Sequence, residues 1–139
     1  MYEDSEFNAD DELKRADHMI YVTLKYTRTA DVIQNIIKRL TNAYEFSILE
    51  TLNKLNKEQV KLLSKDKLET IKAKIPEVKK YIKEYQKLKE IGKAKYRGES
   101  EYRKGVTLVT DKDRIDMEKI KAYFYNTKEC VLLLKNYFK

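Results

Sequence analysis

The sequence predicts an all-α fold, an up-and-down bundle of four long helices with one or two short ones, and three observations carry that prediction. Glycine and proline are scarce, 3 and 1 in 139 residues, whereas β folds spend both freely on turns. Apolar residues recur at spacings of three and four over long stretches, the period of a helix with one buried face. The connections between those stretches are short, as in tightly joined bundles. A chain of this length can bury a core without disulfide or metal staples, and residues 9–139 read as one domain behind a flexible acidic tail at 1–8.

The first helix is expected to start near Asp10, whose carboxylate can cap free amides, with Asp11 and Glu12 at the positive end of the helix dipole. Leu13, Ala16, Ile20, Leu24 and Thr27 then share a face. Across residues 20–27 a second reading competes. Ile20, Val22, Leu24 and Tyr26 alternate with Tyr21, Thr23, Lys25 and Thr27, a strand pattern in β-favouring residues. Helix is preferred because no Gly, Pro or Asn interrupts the run from Asp10.

A second helix follows from Thr29 as N-cap, with Ile33, Ile37, Leu40, Tyr44, Ile48, Thr51 and Leu55 in one stripe and Val32, Ile36 and Ala43 widening it. Such a wide stripe suits a central helix. Asn56 and Gln59 have the spacing of a capping box for a short helix from Lys57 to about Leu63, with another through Leu68, Ile71 and Ile75. Pro76 suits the first position of a helix carrying Val78, Ile82, Tyr85, Leu88 and Gly92 on one side. Arg97–Ser100 reads as its exit. Residues 104–110 fit a loop, a short strand or a helix equally well. The last helix is capped by Asp113 or Asp116 and repeats Met117, Ile120, Phe124, Thr127, Val131, Leu134 and Phe138.

Charge is unevenly distributed. The net charge is +7, but residues 1–20 carry seven acids against two bases, and residues 53–105 carry seventeen bases against eight acids. A basic block with an acidic head points to phosphate or to an acidic partner. Lys and Glu enrichment also marks heat-adapted proteins and accounts for part of this charge without any ligand. The acidic N-terminus lacks a signal-type apolar core, no long apolar run suggests a membrane span, and Cys130 stands alone. A cytoplasmic protein with no membrane contact is therefore expected.

Catalytic motifs are missing from the sequence. There is one histidine, His18, and no Cys/His cluster, Gly-rich phosphate loop, G-x-S-x-G or H-E-x-x-H. No catalytic residue, metal ligand or cofactor is assigned. Two polar clusters stand out instead. The first interleaves bases with tyrosines, Lys93, Lys95, Tyr96 and Arg97 followed by Tyr102, Arg103 and Lys104, with Tyr81 and Tyr85 as either extensions or core residues. That pattern suits phosphate pairing and base stacking, although Lys-rich helices are more often solvated faces. The second is a stripe of Lys14, His18, Tyr21, Lys25 and Arg28, joined by Arg39 if the second helix folds back. It would make an anion site at the amides of the second helix, or a surface network with no ligand.

Residues 12–18 and 25–33, Glu12-Leu13-Lys14-Arg15-Ala16-Asp17-His18 and Lys25-Tyr26-Thr27-Arg28-Thr29-Ala30-Asp31-Val32-Ile33, resemble small archaeal helical proteins. More distantly, this hairpin is similar to HEPN bundles. The resemblance covers about the first fifty residues and implies a helical fold and a dimeric habit. The HEPN catalytic hallmark is an Arg followed four to six residues later by a His, usually late in the chain. Here His18 is early and Arg15 precedes it by only three, so no catalytic residue is carried over.

The expected function is a non-catalytic helical module that binds RNA or a partner protein through its basic surface. One alternative is a structural subunit of a homo-oligomer such as a homodimer, suggested by Tyr123, Cys130 and Tyr137 beside the last helix's stripe. A second is a HEPN-like ribonuclease built on Arg15, Asp17, His18, Tyr21 and Arg28.

Overall fold

A computed structural model describes residues 8–56 and 62–138. In order they form α1 (Ala9–His18), a π-helical segment (Met19–Thr23), a closing turn α2 (Leu24–Tyr26), and the long α3 (Ala30–Asn56). There follow α4 (Lys65–Lys74), a 3-10 turn (Pro76–Val78), α5 (Lys79–Lys93), strands β1 (Arg97–Glu99), β2 (Thr107–Val109) and β3 (Arg114–Ile115), and α6 (Met117–Asn136). The chain is mostly helical. The all-α expectation is corrected by a small antiparallel sheet.

The long amphipathic stripe of the second predicted helix forms the centre. Ile33, Ile37, Leu40, Tyr44 and Ile48 of α3 are fully buried, and α1, α5, α6 and β2 all pack on that helix. Wrapping one helix from several sides demands an apolar face wider than one stripe; Val32, Ile36 and Ala43 supply the width and are buried too. On α6, Ile120, Phe124, Thr127, Val131 and Leu134 are buried as expected, but Phe138 lies past the helix end and is exposed.

Helix ends follow local chemistry. Asn8, not Asp10, caps α1, its side-chain oxygen accepting from the Asp11 amide at 2.9 Å. Asp116, not Asp113, caps α6 through the Lys119 amide at 2.9 Å. Residues 20–26 are helical, with a widened π turn over Met19–Thr23, and Thr27 leaves the helix with φ -128 and ψ 84. Single π turns inside α-helices are frequent at functional sites. This one keeps Ile20 and Leu24 in the core and leaves Tyr21, Val22 and Tyr26 exposed, so burial follows the helical spacing and not the strand-like alternation. The capping box and short helix expected at 56–63 lie mostly outside the described residues; Asn56 is the last residue of α3, and Leu62 and Leu63 are non-helical.

In the sheet, β2 is central, pairing Gly98 with Leu108 on one side and Leu108 with Ile115 on the other. Thr107, Leu108 and Val109 are all buried, so the region open to three readings is a strand pressed on α3. A three-residue strand buried on both faces shows no alternation to find. Glu99 on β1 pairs with Arg97 at 2.8 Å and with Arg114 of β3 at 2.5 Å. The Arg114 hydrogen bond, more than Arg97, holds the Glu99 carboxyl below its usual range.

Candidate nucleic-acid interface

The loop between β1 and β2 reaches back to the joint between α2 and α3. There the Glu101 carboxylate accepts the Ala30 amide at 2.8 Å, and the Tyr102 amide donates to the Arg28 carbonyl at 2.6 Å. Two non-glycine residues of this loop are left-handed, Ser100 (φ 55) and Tyr102 (φ 66), a conformation that persists only when surrounding contacts hold it. A Cβ at Gly98 would lie 2.4 Å from the Glu101 carboxyl carbon, so a larger residue there would push the capping carboxylate aside. The anion expected at the N-terminal amides of the second helix is therefore internal. Glu101 occupies that position, with the Thr29 hydroxyl accepting from the Val32 amide at 3.4 Å.

Docking this loop creates a hollow of about 520 Å3 between the π segment, the loop and the first turns of α6. Lys25 and Arg28 enter from one side, Lys104 from the loop and Lys121 from α6, over a floor that includes Ile20 and Met117. Among the described residues none of these four cations makes an ion pair within 4 Å. The Arg28 Nε is buried without a hydrogen-bond partner, a donor that an acceptor on a ligand would satisfy.

Aromatic side chains border the hollow. Tyr21 lines it, and its hydroxyl lies 3.0 Å from that of Tyr125 on α6. That hydrogen bond, before burial, pushes the Tyr21 pKa up to about 12. The Lys121 ammonium sits 5.6 Å from the Tyr21 ring centre, in cation–π range. Tyr26 and Tyr102, on the segments that supply Lys25 and Lys104, are 81% and 76% exposed, so their rings are open to stacking.

Three members of the second cluster, Tyr21, Lys25 and Arg28, thus meet Lys104 from the first. The other residues do not join them. Arg39 lies against the buried Glu12 carboxylate at 3.1 Å, which also accepts from Asn42 at 3.2 Å. Tyr96 is half-buried and its hydroxyl bonds to Asp31, which raises its pKa. Arg97 is neutralised by Glu99. Lys95 lines a separate, smaller hollow with Asp111 and Asp113; Lys93, Arg103 and His18 are exposed outside the lining. Tyr81 and Tyr85 are core residues.

The groups of the ribonuclease alternative are dispersed: Arg15 faces Glu12, and Asp17 lines a different hollow from Tyr21 and Arg28. Of the three residues that pointed to an oligomer face, Cys130 is buried in the chain's own core and Tyr123 packs against it; only Tyr137 is exposed.

Lys121, Glu118 and Tyr125 were missed. Their signal was present, since spacings of three and four place them on one side of α6, away from Ile120 and Phe124. Among the described residues no group of three or more His, Cys, Asp or Glu side chains could hold a metal ion, and no helix is long and apolar enough to cross a membrane. Comparison with known proteins finds no matching family model, no matching curated protein and no matching solved structure.

Proposed function

We propose that the chain is a non-catalytic RNA-binding module whose contact surface is the hollow between the π segment, the β1–β2 loop and α6. One observation carries the reading: Lys25, Arg28, Lys104 and Lys121 converge there beside exposed tyrosines, outnumbering the Asp116 and Glu118 of the same lining, and among the described residues none of the four makes an ion pair. Cationic grooves with aromatic platforms bind single strands through phosphate neutralisation and stacking, with little need for base-specific contacts.

The test is binding of a labelled single-stranded RNA across a salt series. Each neutralised phosphate contributes about 0.7 to the slope of log affinity against log salt. Replacing Lys25, Lys104 and Lys121 together by Ala should reduce that slope by about 2, while Arg39→Ala and Arg97→Ala should leave it unchanged. Absence of binding at low salt would refute the reading.

A further inference from the structure

We propose that the hollow takes the phosphomonoester end of an RNA strand, with the terminal nucleotide inside it, rather than an internal stretch of the strand; this rests on the RNA-binding reading. Size is the first argument. A volume of about 520 Å3 lies within the range of roughly 300–1,000 Å3 typical of small-ligand pockets, the scale of one nucleotide. Apolar Ile20 and Met117 form the floor and Tyr21 lines the wall, a setting for one base.

Charge is the second argument. Lys25, Arg28, Lys104 and Lys121 against Asp116 and Glu118 leave the lining at +2 (four minus two). Asp116 is turned to helix capping through the Lys119 amide. An internal phosphodiester carries a single charge. A terminal phosphomonoester carries about −1.5 to −2 at neutral pH and presents three acceptor oxygens, which matches the lining. The unpartnered Arg28 Nε is the third argument. It is a buried donor on a residue that lines the hollow, and guanidinium binds phosphate oxygens through paired N–H groups. Glu101 and Tyr102 hold the loop against residues 28–30, and so place Lys104 opposite Arg28.

The experiment compares one RNA oligonucleotide with 5′-phosphate, 3′-phosphate or hydroxyl ends, and adds a nucleoside monophosphate as competitor, on the full chain at fixed salt. One phosphorylated end should bind about ten-fold tighter than the hydroxyl-ended strand, and the mononucleotide should compete away that advantage. Arg28→Ala and Lys104→Ala, each checked for native circular dichroism, should abolish the preference, read in each variant as the ratio of its affinities for phosphorylated and hydroxyl-ended strands. Equal affinity for all three ends would overturn the inference and leave RNA binding intact. Binding of the mononucleotide with none of any RNA would support the phosphomonoester site and refute the RNA-binding reading. A preference undiminished in both variants would overturn the assignment to this hollow.

Discussion

The Glu101 carboxylate accepts the backbone amide of Ala30 at 2.8 Å, capping α3 from 71 residues away in the sequence. Helix caps are usually local, so the contact ties the β1–β2 loop to the start of the central helix. A cap is worth about 0.5–2 kcal/mol, and a charged acceptor at a helix N-terminus lies toward the upper end. Glu101→Ala should therefore lower unfolding stability by about 1–2 kcal/mol, measured by urea denaturation. Gly98→Ala, whose new Cβ would collide with the Glu101 carboxyl, should destabilise the native protein but cost much less in the Glu101→Ala background. Additive effects of the two would show that the collision does not act through this cap.

That contact also separates what was legible in the sequence from what was not. The stripe from Ile33 to Leu55 could be read because a helix buried from several sides writes its period along its length, here 27 residues. Lys25 and Arg28 were legible as a pair because they lie one turn apart beside Tyr21. Their meeting with Lys104 was not, because it depends on Glu101 and Tyr102 returning to residues 28–30, and no periodicity encodes a loop docked across that separation. β1 and β3 escaped, and β2 stayed one of three readings, for a related reason: three residues, three and two are too few for alternation, and β2 is buried throughout. Arg39 seemed available because its partner Glu12, 27 residues earlier, looked like a surface residue at a helix start, yet Glu12 is 2% exposed.

Glu12 supplies the second prediction. Its carboxylate is buried while Arg39 is 39% exposed. Breaking a fully buried pair costs about 3–5 kcal/mol. Solvent around the guanidinium, the surviving Asn42 hydrogen bond and Arg15, 3.9 Å from the same carboxylate, bring the cost of Arg39→Ala to about 2 kcal/mol. Glu12→Gln should cost less than Arg39→Ala, since it leaves no unpaired buried charge. A double-mutant cycle in chemical denaturation checks both, and additivity would mean the pair is not coupled.

Cys130 gives a pH-dependent prediction. Burial first, then the nearby Glu84 charge, pushes its thiol up from 9.0 to about 12. Because the folded state favours the protonated thiol, its contribution is fully present below the unfolded value near 9 and is lost as pH rises toward 12. A thiol reagent at pH 8 should react slowly with the native protein and rapidly in 6 M (about) guanidinium chloride. Cys130→Ala should make the alkaline loss of stability shallower by up to about 1.4 kcal/mol per pH unit in that window. Fast native labelling would contradict the buried thiol.

Tyr44 offers a substitution expected to do no harm. Its ring is fully buried on α3, 5.6 Å from the Tyr85 ring, but its hydroxyl has no hydrogen-bond partner. The nearby Thr127 hydroxyl donates to the Tyr123 carbonyl at 2.8 Å and offsets only part of the effect of burial, which drives the Tyr44 phenol well above its usual range. Removing a buried polar group that lacks a partner relieves a desolvation cost of about 1–3 kcal/mol, against which stands the small void left by one oxygen. Tyr44→Phe should therefore leave stability unchanged or raise it by up to about 1 kcal/mol. Tyr85→Phe should go the other way, because the Tyr85 hydroxyl donates to Glu45 at 2.7 Å, beside the Lys89 ammonium at 2.6 Å from the same carboxylate oxygen. Losing that charge-assisted bond should cost about 1–2 kcal/mol. Thermal or urea unfolding of the two variants in parallel reads the contrast directly, and equal effects would mean that satisfaction of the hydroxyl does not decide its worth in this core.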